Sequence, residues 1–106
     1  MNIEFFPELG ERIIPTIITV DINENLLIKD LFSKLHDITG IERFIEAVLF
    51  DGKTEKIACS YYYLMDRELM DFSPIVDLDR KISEFPKNGL NGELSIYFNM
   101  STGLIN

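Results

Sequence analysis

Apolar residues recur at intervals of three and four in one stretch of the chain, and this stretch predicts the main helix. The pattern covers Ile28–Thr39, with polar residues between the apolar ones, and so forms one stripe on one helix face. Gly40 follows, where a helix can end in the left-handed conformation, and Asn23 and Asn25 are capping-type residues before the first turn. One stripe needs one apolar surface to cover it, which a sheet must supply. The positions of the stripe are Ile28, Leu31, Phe32, Leu35 and Ile38.

Apolar and polar residues alternate in three other segments, as is typical of half-buried strands. Residues 1–6 predict the first strand, residues 17–22 the second and residues 94–99 the last. On the first two strands, Phe6 and Ile17 fall on the face away from the stripe-bearing helix. We therefore expect these two side chains to be exposed and to favour an interface, because contiguous apolar area on a sheet seldom stays bare.

The middle of the chain has weaker patterns. Residues 42–46 are interpreted as a connector, and the short apolar run 48–50 predicts the third strand because Asp51-Gly52 after it is a hairpin-turn signal. Residues 54–76 favour strand in their first half and predict an inserted strand or hairpin. Ile82 and Phe85, spaced by three, predict a short helical turn before the last strand.

Length and charge limit the possible partners. A chain of 106 residues suits one domain, 1–106, and 46% hydrophobic against 26% charged residues is a composition that folds. The 18 acidic and 10 basic residues give a net charge of −8, which repels phosphate backbones and anionic lipid. We therefore expect neither nucleic acid nor a membrane as partner. An acidic inhibitor or DNA mimic that binds a basic protein is an alternative.

Features of export are missing from the sequence, which predicts a cytoplasmic protein. The first residues have no basic segment followed by an apolar run, and no stretch approaches the roughly 18 apolar residues that cross a bilayer. Cys59 is the single cysteine, so no internal disulfide or cysteine cage for a metal forms within one chain. A reducing compartment fits this composition.

The order strand, strand, long helix, strand, short helical turn, strand resembles ubiquitin and its β-grasp relatives. Gly40-Ile41 is similar to the glycine-isoleucine that ends the family's helix. The run 48–53, Val-Leu-Phe-Asp-Gly-Lys, resembles the family's Leu-Ile-Phe-Ala-Gly-Lys at the same distance from that glycine. Residues 79–85 look like the Gly-Arg-Thr-Leu-Ser-Asp-Tyr turn. The resemblance implies an α+β, ubiquitin-like β-grasp, with a mixed sheet packed on one main helix and an insertion over about 54–76 after the third strand.

Candidate catalytic groups do not converge in the sequence. His36 lies between Leu35 and Asp37 on the helix, where we expect a solvent-facing side chain, and Cys59 has apolar neighbours that favour a buried, inert thiol. No nucleophile with a base and no pair of carboxylates set apart by environment can be assembled. We therefore expect no enzyme activity, no catalytic residue, no metal and no cofactor.

The candidate binding residues come from the resemblance and from aromatic content. In ubiquitin the partner patch combines a leucine of the first hairpin loop with apolar residues on two strands, which implies Leu9, Leu49 and Tyr97 here. Tyr61, Tyr62 and Tyr63 are further candidates, because tyrosine combines a large contact area with a polar tip. Simple packing against the sheet or core is the competing explanation for both sets.

These observations favour a non-catalytic, ubiquitin-like protein–protein interaction module. The chain is similar to small β-grasp components of bacterial machines, which implies an adaptor or accessory subunit of a larger bacterial assembly. A sulfur carrier or conjugated modifier is the alternative within the family, but the sequence ends without the Gly-Gly that such proteins expose. The partner's identity and the oligomeric state do not follow from the sequence.

Overall fold

The main helix, α1, spans Ile28–Thr39 and packs on one face of a mixed sheet. The computed structural model describes residues 1–7 and 15–99. Within these residues the fold is α+β, with one α-helix, a sheet of five strands and a separate ribbon of two. The strands are β1 (Asn2–Phe6), β2 (Thr16–Thr19), β3 (Phe44–Val48), β4 (Thr54–Ala58), β5 (Ser60–Asp66), β6 (Asp71–Pro74) and β7 (Leu94–Asn99).

The main sheet, made of β1, β2, β5, β6 and β7, has the strand order β2-β1-β7-β5-β6. β1 runs parallel to β7, and the other neighbours are antiparallel. β1 and β7, the first and last strands of the described residues, therefore lie side by side in the sheet. A 3-10 helix at Ile82–Glu84 confirms the predicted helical turn, and its first residue is fully buried.

The apolar stripe of α1 forms the core with the sheet, except at its last position. The four earlier residues of the stripe are buried against alternate residues of β1 and β7. Ile38, however, is 53% exposed, and His36 is only 5% exposed. The predictions for these two residues are wrong, because the helix is rotated so that position 36 faces β5 and position 38 faces solvent. The sheet residues of this core are Ile3, Phe5, Leu94, Ile96 and Phe98.

Both ends of α1 have identifiable chemical causes. Gly40 adopts φ 73° and its N–H donates to the His36 carbonyl at 2.9 Å, which confirms the predicted end. At the start, the N–H of Leu27 donates to the Asp30 carboxylate at 3.1 Å. Asn23 instead accepts the N–H of Asn25 at 2.8 Å in the preceding turn, so neither asparagine caps the helix as predicted.

The largest difference from the sequence prediction concerns the third strand and the insertion. β3 covers most of the predicted connector, ends at Val48 and pairs with β4, from Phe44 opposite Ala58 to Val48 opposite Thr54. This ribbon, β3 with β4, stands outside the main sheet. The predicted third strand over 48–50 is therefore wrong. The strand structure predicted within 54–76 is confirmed by β4, β5 and β6. Asp51-Gly52 turns the chain straight back, so β3 pairs with its neighbour in sequence, while β5 and β6 join the main sheet.

Some predictions fall partly outside the described residues. β2 is shorter than the predicted 17–22, and the loop 7–15 is described only at its two ends. The tail 101–106 lies outside the described residues. Across residues 1–7 and 15–99, no helix combines the length and apolar character needed to cross a bilayer.

Candidate interaction surface

The back face of the main sheet, turned away from α1, carries a row of aromatic side chains. Phe6 on β1 and Tyr62 on β5 are both register partners of Tyr97 on β7. The ring centroids lie 5.4 Å apart for Tyr62 and Tyr97, 5.8 Å for Phe72 and Tyr97, and 5.2 Å for Phe6 and Phe72. Tilted and edge-to-face rings at such distances stabilise one another. Aromatic residues thus cover this face from β1 to β6.

Exposure divides the aromatic row into a buried and an accessible part. Phe6 is buried, against the prediction, and Tyr97 is 8% exposed. Ile17 on the edge strand β2 is 48% exposed, as predicted. Tyr62 and Phe72 are half-buried, and Pro74, the register partner of Tyr62, is exposed. The surface that a partner can touch therefore lies on β5 and β6.

A fully buried carboxylate lies next to this aromatic row. Glu4 points to the back face from the middle of β1, and its Oε1 accepts the hydroxyl of Ser95 at 2.7 Å. The guanidinium of Arg67, in the turn after β5, donates to the same oxygen. Glu4 Oε2 has no hydrogen-bond partner among the described residues. A buried charge is costly unless it is paired. The Glu4 carboxylate therefore favours the conformation in which the Arg67 guanidinium lies over β1.

Arg67 and Asn88 tie this turn to the loop before β7. The Arg67 Nε–H donates to the Asn88 carbonyl at 2.5 Å. The Asn88 amide donates in turn to the carbonyls of Leu64 and Met65, at 3.0 and 2.9 Å. Met65 is the extra residue of a β-bulge, because Leu64 pairs with Phe72 and Asp66 with Asp71. Asn88 therefore satisfies carbonyls at the point where the strand ladder is irregular.

Glu93 adds a second carboxylate near the guanidinium. The backbone N–H of Asn91 donates to it at 3.0 Å, and this hydrogen bond, assisted by the charge of Arg67, lowers the pKa of Glu93. Arg67 thus interacts with two carboxylates and one carbonyl. Such an arrangement fixes the position of the turn.

The tip of the β5–β6 hairpin, residues 65–71, is an ordered turn with apolar side chains on its outside. Asp66 accepts the N–H of Leu69 at 3.2 Å, and the N–H of Met70 donates to the Arg67 carbonyl at 3.2 Å. Met70 has φ 48°, the one positive value among the described non-glycine residues. Leu69 is 77% exposed, and Met65 and Met70 are about half exposed.

The three candidate tyrosines separate between the two faces of β5. Tyr61 stacks on Phe32 at 4.1 Å, and Tyr63 packs edge-on against Phe85 at 5.3 Å, so both contribute to the helix-side core. Tyr62 lies on the back face. Alternation along a strand explains this separation, because successive side chains point to opposite faces. The structure therefore brings Tyr62 together with Tyr97 and separates Tyr61 and Tyr63 from them.

His36 and Tyr61 form a buried polar pair inside the core. The Ile41 carbonyl lies 2.7 Å from His36 Nδ1, and the Tyr61 hydroxyl lies 2.7 Å from Nε2. A carbonyl only accepts, so Nδ1 carries the proton, and in the neutral ring Nε2 accepts the Tyr61 hydroxyl. Burial raises the pKa of Tyr61, which keeps the phenol protonated. His36 is a fully hydrogen-bonded core residue rather than the solvent-facing side chain that we predicted.

The remaining candidates lie elsewhere. Leu49 follows β3 in the turn of the ribbon, outside the main sheet that holds Tyr97, and Leu9 lies outside the described residues. Cys59 is buried between β4 and β5, and burial raises its pKa to about 11, in agreement with the predicted inert thiol. No group of three or more potential metal-ligating side chains occurs within residues 1–7 and 15–99.

The interactions of Glu4 with Arg67 and Ser95 were missed at the sequence level. Alternation along the first strand puts Glu4 on the same face as Phe6, where a charged side chain is expected to be solvated. Its partners lie 63 and 91 positions away in the chain, so no local spacing indicates them. Comparison of the chain with family models, with curated proteins and with solved structures finds no match.

Proposed function

We propose that this protein is a non-catalytic, ubiquitin-like β-grasp module that binds a protein partner through the back face of its main sheet. Its role is that of an adaptor or accessory subunit in a larger assembly. The observation that carries the proposal is the accessible aromatic surface formed by Tyr62 and Phe72 beside Pro74.

The architecture is compatible with the β-grasp assignment. The family resemblance implies a mixed sheet packed on one main helix, and the described residues contain both features. Parallel pairing of β1 with β7 and a short helical turn before β7 agree with it as well. Because one fold serves many functions, the surface rather than the fold must carry the functional proposal.

Three properties of the surface support binding rather than chemistry. Tyrosine and phenylalanine provide large contact areas with little conformational entropy to lose, and they are enriched in interface cores. Tyr62 and Phe72 both pack against the ring of the buried Tyr97, so their positions are defined before a partner arrives. Near the surface, Glu4, Arg67 and Glu93 take part in hydrogen bonds within the fold.

The test compares Tyr62→Ala with Ile38→Ala. Ile38 is an exposed apolar residue on the outer side of α1, so its variant removes similar apolar area from another surface. Proteins co-purifying with the tagged full chain are quantified for both variants and for the wild type. We expect at least one specific partner whose recovery falls about tenfold or more with Tyr62→Ala and is unchanged with Ile38→Ala.

The thermal midpoints of both variants are measured first, because only folded variants are informative. If no protein co-purifies with the wild type, or if both variants retain every partner equally, the proposed function is wrong.

A further inference from the structure

We propose that the tip of the β5–β6 hairpin, residues 65–71, is a docking knob that enters an apolar pocket rimmed by lysine and arginine on a protein partner. This inference rests on the proposed function and adds a second contact site with a defined partner chemistry. Three observations carry it: the apolar outside of the tip, its charge, and the way it is anchored.

The outside of the tip is unusually apolar for a turn. Met65, Leu69 and Met70 are all large and exposed within six consecutive positions. Turns are normally rich in small and polar residues, because their side chains remain in water. Clustered exposed apolar side chains are typical of contact sites, whereas single ones are common on any protein.

The charge of the tip selects the partner. Asp66, Glu68 and Asp71 flank the apolar residues, while the only cation of this segment, Arg67, is turned inward to Glu4 and Asn88. The knob is therefore apolar at its end and negative around it. A complementary surface is an apolar pocket with a basic rim. A second copy of this chain, with its net charge of −8, is disfavoured as the occupant.

The anchoring of the tip fits a binding role. Arg67 connects the turn to a fully buried carboxylate on β1, and Asn88 holds the bulged end of β5. A buried ion pair is a weak source of net stability compared with apolar packing, but it defines one geometry. Because the apolar side chains are presented on an already ordered turn, little conformational entropy is lost when a partner binds.

The experiment places a photo-crosslinking amino acid at single positions of the full chain and irradiates intact cells. Position 69 tests the knob, position 62 tests the back face of the proposed function, and position 38 is the exposed apolar control on α1. Crosslinked proteins and their crosslinked peptides are identified by mass spectrometry. We expect a specific adduct at position 69 that is absent at position 38, on a partner segment with apolar residues beside lysine or arginine.

The contribution of the acidic residues of the tip is tested with the crosslinking amino acid at position 69. Glu68→Gln with Asp71→Asn removes two charges from the tip, and Glu42→Gln with Glu46→Gln removes two exposed charges elsewhere. We expect the first pair to reduce the adduct at position 69 roughly fivefold and the second pair to leave it unchanged.

The outcomes separate the two proposals. An adduct at position 62 without one at position 69 overturns the docking knob and leaves the proposed function standing, whereas no adduct at either position overturns both. The docking knob is also overturned if the adduct at position 69 joins two copies of this chain, or if the same adduct forms equally at position 38. It is overturned as well if neither charge pair changes the yield of the adduct at position 69.

Discussion

Two hairpins of this protein expose apolar side chains at their ends, but they are held in different ways. The β5–β6 hairpin lies in the main sheet, and its tip is fixed to β1 by Arg67 and to the loop before β7 by Asn88. The ribbon is held at its root, where the Cys59 N–H donates to the Arg43 carbonyl at 2.7 Å and Arg43 donates to the Ser33 hydroxyl at 2.6 Å.

The difference shows that exposure alone does not identify a contact site. Val48 of the ribbon is nearly as exposed as Leu69 of the tip, and Phe50 in the ribbon turn is more exposed than Leu69. The backbone hydrogen bonds of the ribbon turn, however, join only residues of the ribbon to one another. An isolated two-stranded ribbon is only marginally stable in water. We therefore expect the tip to keep one geometry in the free protein and the ribbon to open locally.

The largest expected effect separates the two arginines that hold these hairpins. Arg67→Ala leaves the Glu4 carboxylate buried without its charge partner and should lower the free energy of unfolding by about 3–5 kcal/mol. Arg43→Ala removes an exposed hydrogen bond and should cost less than about 1 kcal/mol. Urea unfolding of the two variants measures both values. Equal losses would show that the hairpins are anchored alike.

A double variant sharpens the same point. Glu4→Gln removes the buried charge itself, so adding it to Arg67→Ala should recover part of the lost stability, since the two sites share one interaction. If the two losses simply add, the ion pair does not hold the tip.

The next effect concerns the thiol at the junction of ribbon and sheet. Burial raises the pKa of Cys59 from its usual 9.0 to about 11, so near pH 8 the native protein holds about 100-fold less thiolate than the unfolded chain. Reaction with a thiol reagent should slow by about that factor. The raised pKa also makes the stability of the fold depend on pH. The contribution of the protonated Cys59 thiol to the free energy of unfolding is complete below about pH 9 and is lost as the pH rises toward 11. Fast labelling of the native protein would show that the ribbon root opens readily.

A smaller effect is expected where β5 meets the core. Tyr61→Phe keeps the stack on Phe32 but leaves His36 Nε2 without its donor, and it should cost about 1–2 kcal/mol. Thermal unfolding monitored by circular dichroism gives the value. If Tyr61→Phe lowers the free energy of unfolding as much as Arg67→Ala does, the hairpin is held mainly at its base rather than at its tip.

The smallest effect is expected at the end of the ribbon. Phe50→Ser exchanges a fully exposed aromatic side chain for a polar one and should change the free energy of unfolding by no more than about 0.5 kcal/mol. Leu69→Ser at the tip should be equally mild for stability. A strong destabilisation by Phe50→Ser in denaturant titration would mean that the ribbon packs on the protein in solution.

Local and distant determinants explain how much of this fold the sequence predicts. α1 is predicted to the residue because its stripe and its terminal glycine are encoded within thirteen consecutive positions. Strand pairing is not local: the run 48–50 has a strand-like composition, but nothing in it indicates whether its neighbour is β4 or the main sheet. The sequence therefore predicts an inserted strand or hairpin over 54–76, whereas the structure has β5 and β6 in the main sheet and the ribbon, Phe44 to Ala58, outside it.

The candidate surface was predictable only where it depends on local sequence. Alternation on β7 assigns Tyr97 to the back face, and the tyrosine run on β5 necessarily sends Tyr62 to one face and its neighbours to the other. The ion pair of Glu4 with Arg67 was not predictable, because it joins residues 63 positions apart. The rotation of α1 that buries His36 also depends on the partner Tyr61, which only the folded sheet supplies.

The root of the ribbon makes this segment a natural place for engineering. Because the Arg43 carbonyl and the Cys59 N–H are hydrogen-bonded at 2.7 Å, the chain enters and leaves the ribbon at nearly the same point. We expect that residues 44–58 can be replaced by a short glycine linker, or by a fluorescent domain whose own ends are close together. The helix and the main sheet should keep their positions after either replacement. The protein thereby offers an internal labelling site outside the main sheet, which carries both the back face and the tip.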